Sequence, residues 1–258
     1  MNIKQIRNAT IIVSYANKKF LIDPLLADKG TFPAFGPELG FPASARPDKR
    51  NPVVDLPVSM DEILNVDAVI ATHLHLDHFD EAAKKILPKD IKMFVQNEED
   101  FKELQNVGFK NIEILTKNTT FESIKLIKTK GQHGRGKILE LSGNVCGVIF
   151  KHSTEKTLYV AGDTVWYDGV KNVLETYTPE VIAVNSGANQ FIGYEPLIMG
   201  KEDVYEVCKA SPDAKVIATH MEGVNHWTLS RKELKEFVKE KGISSNVLIP
   251  DDGEDYTF

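Results

Sequence analysis

Apolar and polar positions divide the chain into short strand-length runs with helical stripes between them. Residues 10–15 and 20–23 flank Asn17-Lys18-Lys19 and read as a hairpin. Residues 67–72, DAVIAT, form an apolar run of buried-strand length. Residues 91–95, 145–151, 157–161, 180–184, 215–219 and 246–249 repeat that character. Residues 122–129 alternate instead, with Ile124 and Leu126 on one face, as a half-buried strand does.

Between these runs the period changes to helical. Ser59 and Glu62 offer a capping box. Phe79, Ala82, Ala83, Ile86 and Leu87 share a face that Pro88 terminates. Asn97 precedes the acidic first turn Glu98-Glu99-Asp100, and Gly108 can end that helix. Val170, Val173, Leu174 and Tyr177 form another stripe. Ser230 and Glu233 cap a last helix with Leu234, Phe237 and Val238 inward and Gly242 at its end. Strands with helices between them imply a layered α/β domain.

DAVIATH at 67–73 recurs as AKVIATH at 214–220, with PEVIAVN at 179–185 as a fainter copy. We therefore expect one domain over residues 1–258, made of two similar halves. Each copy delivers a polar residue at its carboxyl end, where α/β sheets place their sites. Residues 27–57 are rich in proline and glycine and lack periodicity. Both an active-site flap and a surface excursion remain open for them.

Composition narrows the partners. The 258 residues carry 31 Lys+Arg against 37 Asp+Glu, a net of −6, which disfavours nucleic acid. No stretch approaches the roughly 18 apolar residues of a membrane span. The apolar run near the start, Ile11-Ile12-Val13, is shorter than the roughly 7–15 residues of a secretory core. Cys146 and Cys208 stand far apart without a CxxC pair. A cytoplasmic protein with a small-molecule partner is expected, and a homo-oligomer is left open.

The strongest chemical signal is Thr72-His73-Leu74-His75-Leu76-Asp77-His78, four ligand-type side chains within six residues after a buried strand. Imidazole and carboxylate suit divalent zinc, iron or manganese. In an extended segment His73 and His75 project to the same side, so two imidazoles can reach one ion. Asp77 and His78 should begin a helix and face a second ion. Three further candidates follow strand ends: His133 in Lys130-Gly131-Gln132-His133, Asp163 in Gly162-Asp163-Thr164, and His220 after the repeated VIAT.

These motifs, in this order, resemble the metallo-β-lactamase superfamily. The likeness runs from Asp23 in Phe20-Leu21-Ile22-Asp23-Pro24 to His220. It implies a four-layer αββα sandwich with a binuclear metal centre between its sheets. On that resemblance His73, His75 and His133 bind one ion. Asp77, His78 and His220 bind the second, Asp163 bridges, and Asp23 supports without ligating. Residues 20–24, 72–80, the LYVAGDT run and 220–231 are similar to the cytoplasmic branch that includes the ascorbate-6-phosphate lactonase.

The expected function is hydrolysis of a small ester, lactone or phosphorylated substrate by metal-activated water. Zinc is favoured, with manganese or iron open. A phosphodiesterase, a non-haem di-iron redox protein and a non-catalytic metal-binding module are the alternatives. Asp77 can orient the water while ligating, and His226 is a candidate proton donor or substrate contact. Asn185 either lines the pocket or makes a turn. Arg46, Lys49, Arg50 and Arg135 would meet an anionic substrate, or are solvated surface. Trp166, Tyr167, Phe191 and Tyr194 wall the pocket or belong to the core. His152 is expected to be structural, and the acidic residues 251–255 a solvated tail.

Overall fold

The structure, a computed structural model, describes residues 1–258. The chain first forms β1 (Asn2–Arg7), β2 (Thr10–Tyr15), β3 (Lys18–Ile22), α1 (Met60–Leu64), β4 (Ala68–Ile70), α2 (Glu81–Ile86), β5 (Lys92–Val95), α3 (Glu98–Asn106) and β6 (Ile112–Ile114). It continues with β7 (Thr119–Phe121), β8 (Ile124–Lys130), α4 (Leu139–Ser142), β9 (Cys146–Lys151), β10 (Leu158–Val160) and α5 (Asp168–Tyr177). Then come β11 (Val181–Asn185), α6 (Lys201–Ala210), β12 (Lys215–Thr219), α7 (Arg231–Glu240), β13 (Val247–Leu248) and β14 (Asp255–Thr257).

These strands make two seven-stranded sheets, ordered β14-β1-β2-β3-β4-β5-β6 and β7-β8-β9-β10-β11-β12-β13. Both sheets run through three antiparallel pairings and then three parallel ones. By that succession β4 matches β11 in place. The stronger sequence echo, however, joins β4 to β12, so it does not follow the positions. Parallel strands covered on both faces draw on the same Val/Ile/Ala palette wherever they lie.

Phe20, Phe94, Leu126, Val148 and Phe150 fill the space between the sheets. Leu21, Val69, Phe79, Met93 and Leu104 fill the outer face of the first sheet. Ile149, Tyr159, Ile182, Val204 and Leu234 do so for the second. The layers are therefore helix, sheet, sheet, helix: the αββα sandwich. No helix is long and apolar enough to cross a membrane.

Local departures from the sequence expectations have identifiable causes. The first hairpin turns on Ala16 and Asn17, both at positive φ, so β3 starts at Lys18. The Ser59 hydroxyl caps α1 by accepting from Glu62 N, but the Glu62 carboxylate pairs with Lys4 and leaves the box half made. At α7 the box is complete between Ser230 and Glu233. Asp77 and His78 lie in a turn closed by His78 N–H and Phe79 N–H on His75 O, and α2 begins only after Asp80 caps it. Helix α6, strand β1 and the edge strand β14 escaped the sequence reading. Residues 27–57 contain no strand or α-helix, only a 3-10 turn at Pro37–Leu39.

Candidate metal centre

Parallel strands that end together bring distant residues to one edge of the sandwich. Asp23 follows β3, His73 follows β4, Asp163 follows β10, Asn185 ends β11 and His220 follows β12. His133 comes three residues after β8. The turn before Asp163 needs glycine: Gly162 has φ +66, and a Cβ there would stand 2.3 Å from Cys146 O. His220 itself sits at φ 57 without that freedom, a strain of about 1–3 kcal/mol of the kind that functional sites hold.

His73, His75 and His133 each offer a ring nitrogen, all within 4.8 Å of one another. So do the ligand atoms of Asp77, His78 and His220, and those of His73, His78 and Asp163. Asp163 lies between the two histidine groups. Its Oδ2 is 3.1 Å from His78 Nε2, 3.7 Å from His133 Nε2 and 4.0 Å from His73 Nε2, while Oδ1 is 3.8 Å from His220 Nε2. Asp77 Oδ2 is 3.3 Å from His220 Nε2.

A further ring of residues fixes these side chains. Asp23 accepts from Thr72 N and Thr72 Oγ1, both at 2.7 Å, and lies 2.9 Å from His78 Nδ1. Asn185 donates to Asp163 Oδ1 at 2.6 Å, so its role is to orient that carboxylate. His133 Nδ1 meets Leu197 O at 3.1 Å. Asn8, at the β1–β2 turn, donates to Asp77 O and receives His220 N–H on its own carbonyl. Such partners hold ligand rings in a fixed orientation.

The electrostatics favour a cation. Burial lowers His73 and His133, and takes His75 down to about 4, so these imidazoles stay neutral and keep a lone pair to offer. Burial opposes ionisation of Asp77 and Asp163, but neighbouring histidines outweigh it and hold both carboxyls well below the usual range. Burial also works against a charged His78, yet Asp163 and Asp23 outweigh it and push that imidazole well above its usual value. The buried carboxylates thus demand positive charge at the centre of the cluster. His73 Nε2 is buried and has no hydrogen-bond partner, although it faces the cluster. A neutral imidazole, an unpaired nitrogen and ionised carboxylates around one point fit divalent metal ions.

Beside the cluster lies a cavity of about 200 Å³. Phe35, Phe41, Phe191, Ile138, Leu141 and Leu197 form its apolar wall, and no Lys or Arg lines it. His226 also lines it, stacked on Phe191 (5.4 Å, 10°) and edge-on to Phe35 (4.8 Å, 62°). Burial takes His226 down to about 4, and its Nδ1 has no partner. Asn189 Nδ2 lies 3.4 Å from both His226 Nε2 and His220 Nδ1.

The proposed anion contacts are engaged elsewhere. Arg46 stacks on Trp227 at 3.5 Å, Arg50 donates to Gly30 O and Thr31 O, and Arg135 pairs with Asp203. Lys49 is exposed and outside the cavity lining. Trp166 and Tyr167 pack on the core of the second sheet, and Tyr194 beneath the 27–57 segment, whereas Phe191 walls the cavity. His152 lies away from the cluster, near Ser123. Asp252 pairs with Arg231, so the acidic end is partly tied down. Sequence reasoning missed Asn8, Asn189, Phe35 and Phe41. They sit in turns and irregular chain, where periodicity carries no signal.

A family model described as a beta-lactamase superfamily domain matches residues 18–221. The chain belongs to the metallo-β-lactamase superfamily. Within that superfamily it is 64% identical to UPF0173 protein YddR of Bacillus subtilis (strain 168), over all of both chains. It is 25% identical to a UPF0173 metal-dependent hydrolase of Pyrococcus furiosus, covering 92% of this chain and 91% of that one. Among solved structures, the isothiocyanate hydrolase from Delia radicum gut bacteria superposes with TM-score 0.94 at 44% identity, covering 100% and 99% of the two chains. A possible metal-dependent hydrolase from Veillonella parvula does so with TM-score 0.95 at 41% identity, with the same coverage. The protein is thus a metal-dependent hydrolase of the metallo-β-lactamase superfamily.

Proposed function

We propose that the protein hydrolyses small, uncharged electrophiles, isothiocyanates above all, with two divalent ions, zinc first among the candidates. The carrying observation is the cavity: an aromatic and aliphatic wall, with no cationic side chain, directly against the His/Asp cluster. The full-length likeness to a protein named as an isothiocyanate hydrolase supports the same substrate class. A phosphorylated lactone would bring its anionic group against that apolar wall without a cationic side chain to pair it, which desolvation penalises.

His73, His75 and His133 would hold one ion, Asp77, His78 and His220 the other, with Asp163 shared between them. Ions held there would supply an activated water and positive charge opposite the developing anion. The overall change is R–N=C=S plus water to R–NH2 plus carbonyl sulfide: water oxygen bonds to the central carbon, the C–N bond breaks, and both water protons end on nitrogen. The aromatic wall takes the R group and keeps bulk water from the reacting carbon. Asp77 would hold an ion and orient the attacking water from the cavity side of the cluster. His226 lines the cavity beside the cluster, where its ring would contact the substrate.

The test is a panel of isothiocyanates, lactones, esters and phosphodiesters, run on metal-stripped protein reloaded with zinc, manganese or iron. The reading expects amine and carbonyl sulfide from the isothiocyanates only. It also expects metal content and turnover to fall together in His73→Ala and Asp163→Ala. Full metal content in both variants, or turnover confined to lactones or phosphodiesters, would overturn it.

A further inference from the structure

The 27–57 segment covers the cavity with Phe35 and Phe41, yet it has almost no regular structure of its own. Among the groups that hold it is a side chain from far along the chain. Asn225 is fully buried. Its Oδ1 accepts from Phe35 N at 2.8 Å and from Asn51 Nδ2 at 2.9 Å. Its Nδ2 faces Ser44 Oγ at 2.7 Å, and Phe35 O and Arg46 O at 3.2 Å each. Its own main-chain N–H donates to Asn51 Oδ1 at 2.8 Å. The amide thus pairs with both the N–H and the C=O of Phe35, as a neighbouring strand would. A buried amide satisfied on every side fixes a single arrangement of the chains it joins.

The next residue along the chain is His226, whose ring packs edge-on against Phe35. Phe41, Phe191 and His226 then stack in succession, at 5.5 Å and 8°, and at 5.4 Å and 10°. One asparagine therefore sets the spacing between the roof of the cavity and the histidine on its wall. We propose that Asn225 is a positioning residue for substrate: it locks Phe35 against His226 and so shapes the subsite for the apolar substituent. It touches none of the clustered metal-ligand candidates, so metal binding does not depend on it. The kinetic part rests on the isothiocyanate reading; the structural part does not.

Asn225→Asp keeps the shape and the acceptor but replaces the donor by a carboxylate oxygen set against two carbonyl oxygens. Asn51→Ser is the milder second variant, removing only the bonds from the Asn51 side. Three quantities are measured on the metal-loaded protein: metal content, hydrogen exchange of peptides covering residues 30–52, and kinetics with phenethyl and methyl isothiocyanate. Metal content should stay at the wild-type level. Exchange in 30–52 should rise by about tenfold or more, the effect of losing roughly one buried hydrogen bond. KM for the phenethyl compound should rise about tenfold with kcat within about threefold, while KM for the methyl compound rises far less. Unchanged exchange in both variants overturns the latch. An equal rise in KM for the two compounds overturns the positioning role and leaves only a structural one. If the wild-type protein turns over neither compound, the isothiocyanate reading falls, and exchange with metal content alone decides whether the latch stands.

Discussion

Replacing Gly162 by alanine tests how the chain reaches its metal cluster. Two costs are added at this position. The backbone is left-handed at φ +66, which costs an alanine about 1 kcal/mol. The new Cβ would stand 2.3 Å from Cys146 O, whereas carbon–oxygen contacts settle near about 3.3 Å. The chain must therefore move by about 1 Å against a packed strand, an overpacking cost of about 1–3 kcal/mol. The loss of about 2–4 kcal/mol corresponds to about 4–8 °C in Tm for a chain of this size. The same shift moves the neighbouring Asp163, whose carboxylate must meet metal to within about 0.2 Å. Metal content should then fall well below wild type. Gly242→Ala is the matched control: φ is +70, but nothing lies within 4 Å of a Cβ. It should cost only the backbone term, about 2 °C, and retain metal. Calorimetry and elemental analysis of both variants decide the matter. Equal Tm losses, or full metal content in Gly162→Ala, would refute the close-approach argument.

Two further outcomes follow from buried charges. Arg7 is fully buried and donates to Leu25 O, Ala27 O and Val54 O, joining both roots of the 27–57 segment to β1. Arg7→Met strands those three carbonyls and should destabilise the protein by about 3 kcal/mol in urea unfolding; a change of a few tenths would show that water replaces the guanidinium readily. Burial pushes the Asp100 carboxyl up to about 6, with Gln96 only partly opposing it. A folded value above the unfolded one means stability from this group is present below about pH 4 and is lost as pH rises through about 6. Asp100→Asn removes that loss, so its stability in urea unfolding should gain on wild type between pH 4 and 7, by up to about 1–2 kcal/mol after solvent screening. A constant offset across that range would contradict the assignment.

The strand runs, the helix stripes at 79–87, 97–108, 170–177 and 230–242, and the HxHxDH motif were legible because each is local. Period and ligand density need no knowledge of distant chain. His133, Asp163 and His220 were legible through their place after strand-like runs, and the structure brings all three to the same cluster. Other features could not be read in this way. The echo between 67–73 and 214–220 reflects shared burial rather than matching positions in the sheets. Phe35, Phe41, Asn8, Asn189 and Asn225 lie in irregular chain, where no period marks a residue. Whether residues 27–57 stand free or form a roof depended on contacts with distant chain, such as that of Asn51 with Asn225, 174 residues beyond it.

The sequence by itself therefore determined the layered fold and which side chains carry ligand chemistry, since both follow from local pattern and residue type. Only the tertiary structure decided which of those side chains converge, that the arginines are consumed in other contacts, and that the cavity beside the cluster is apolar and roofed. Those properties belong to pairs of residues far apart in the chain, and a distance between them exists only once the sheets have packed.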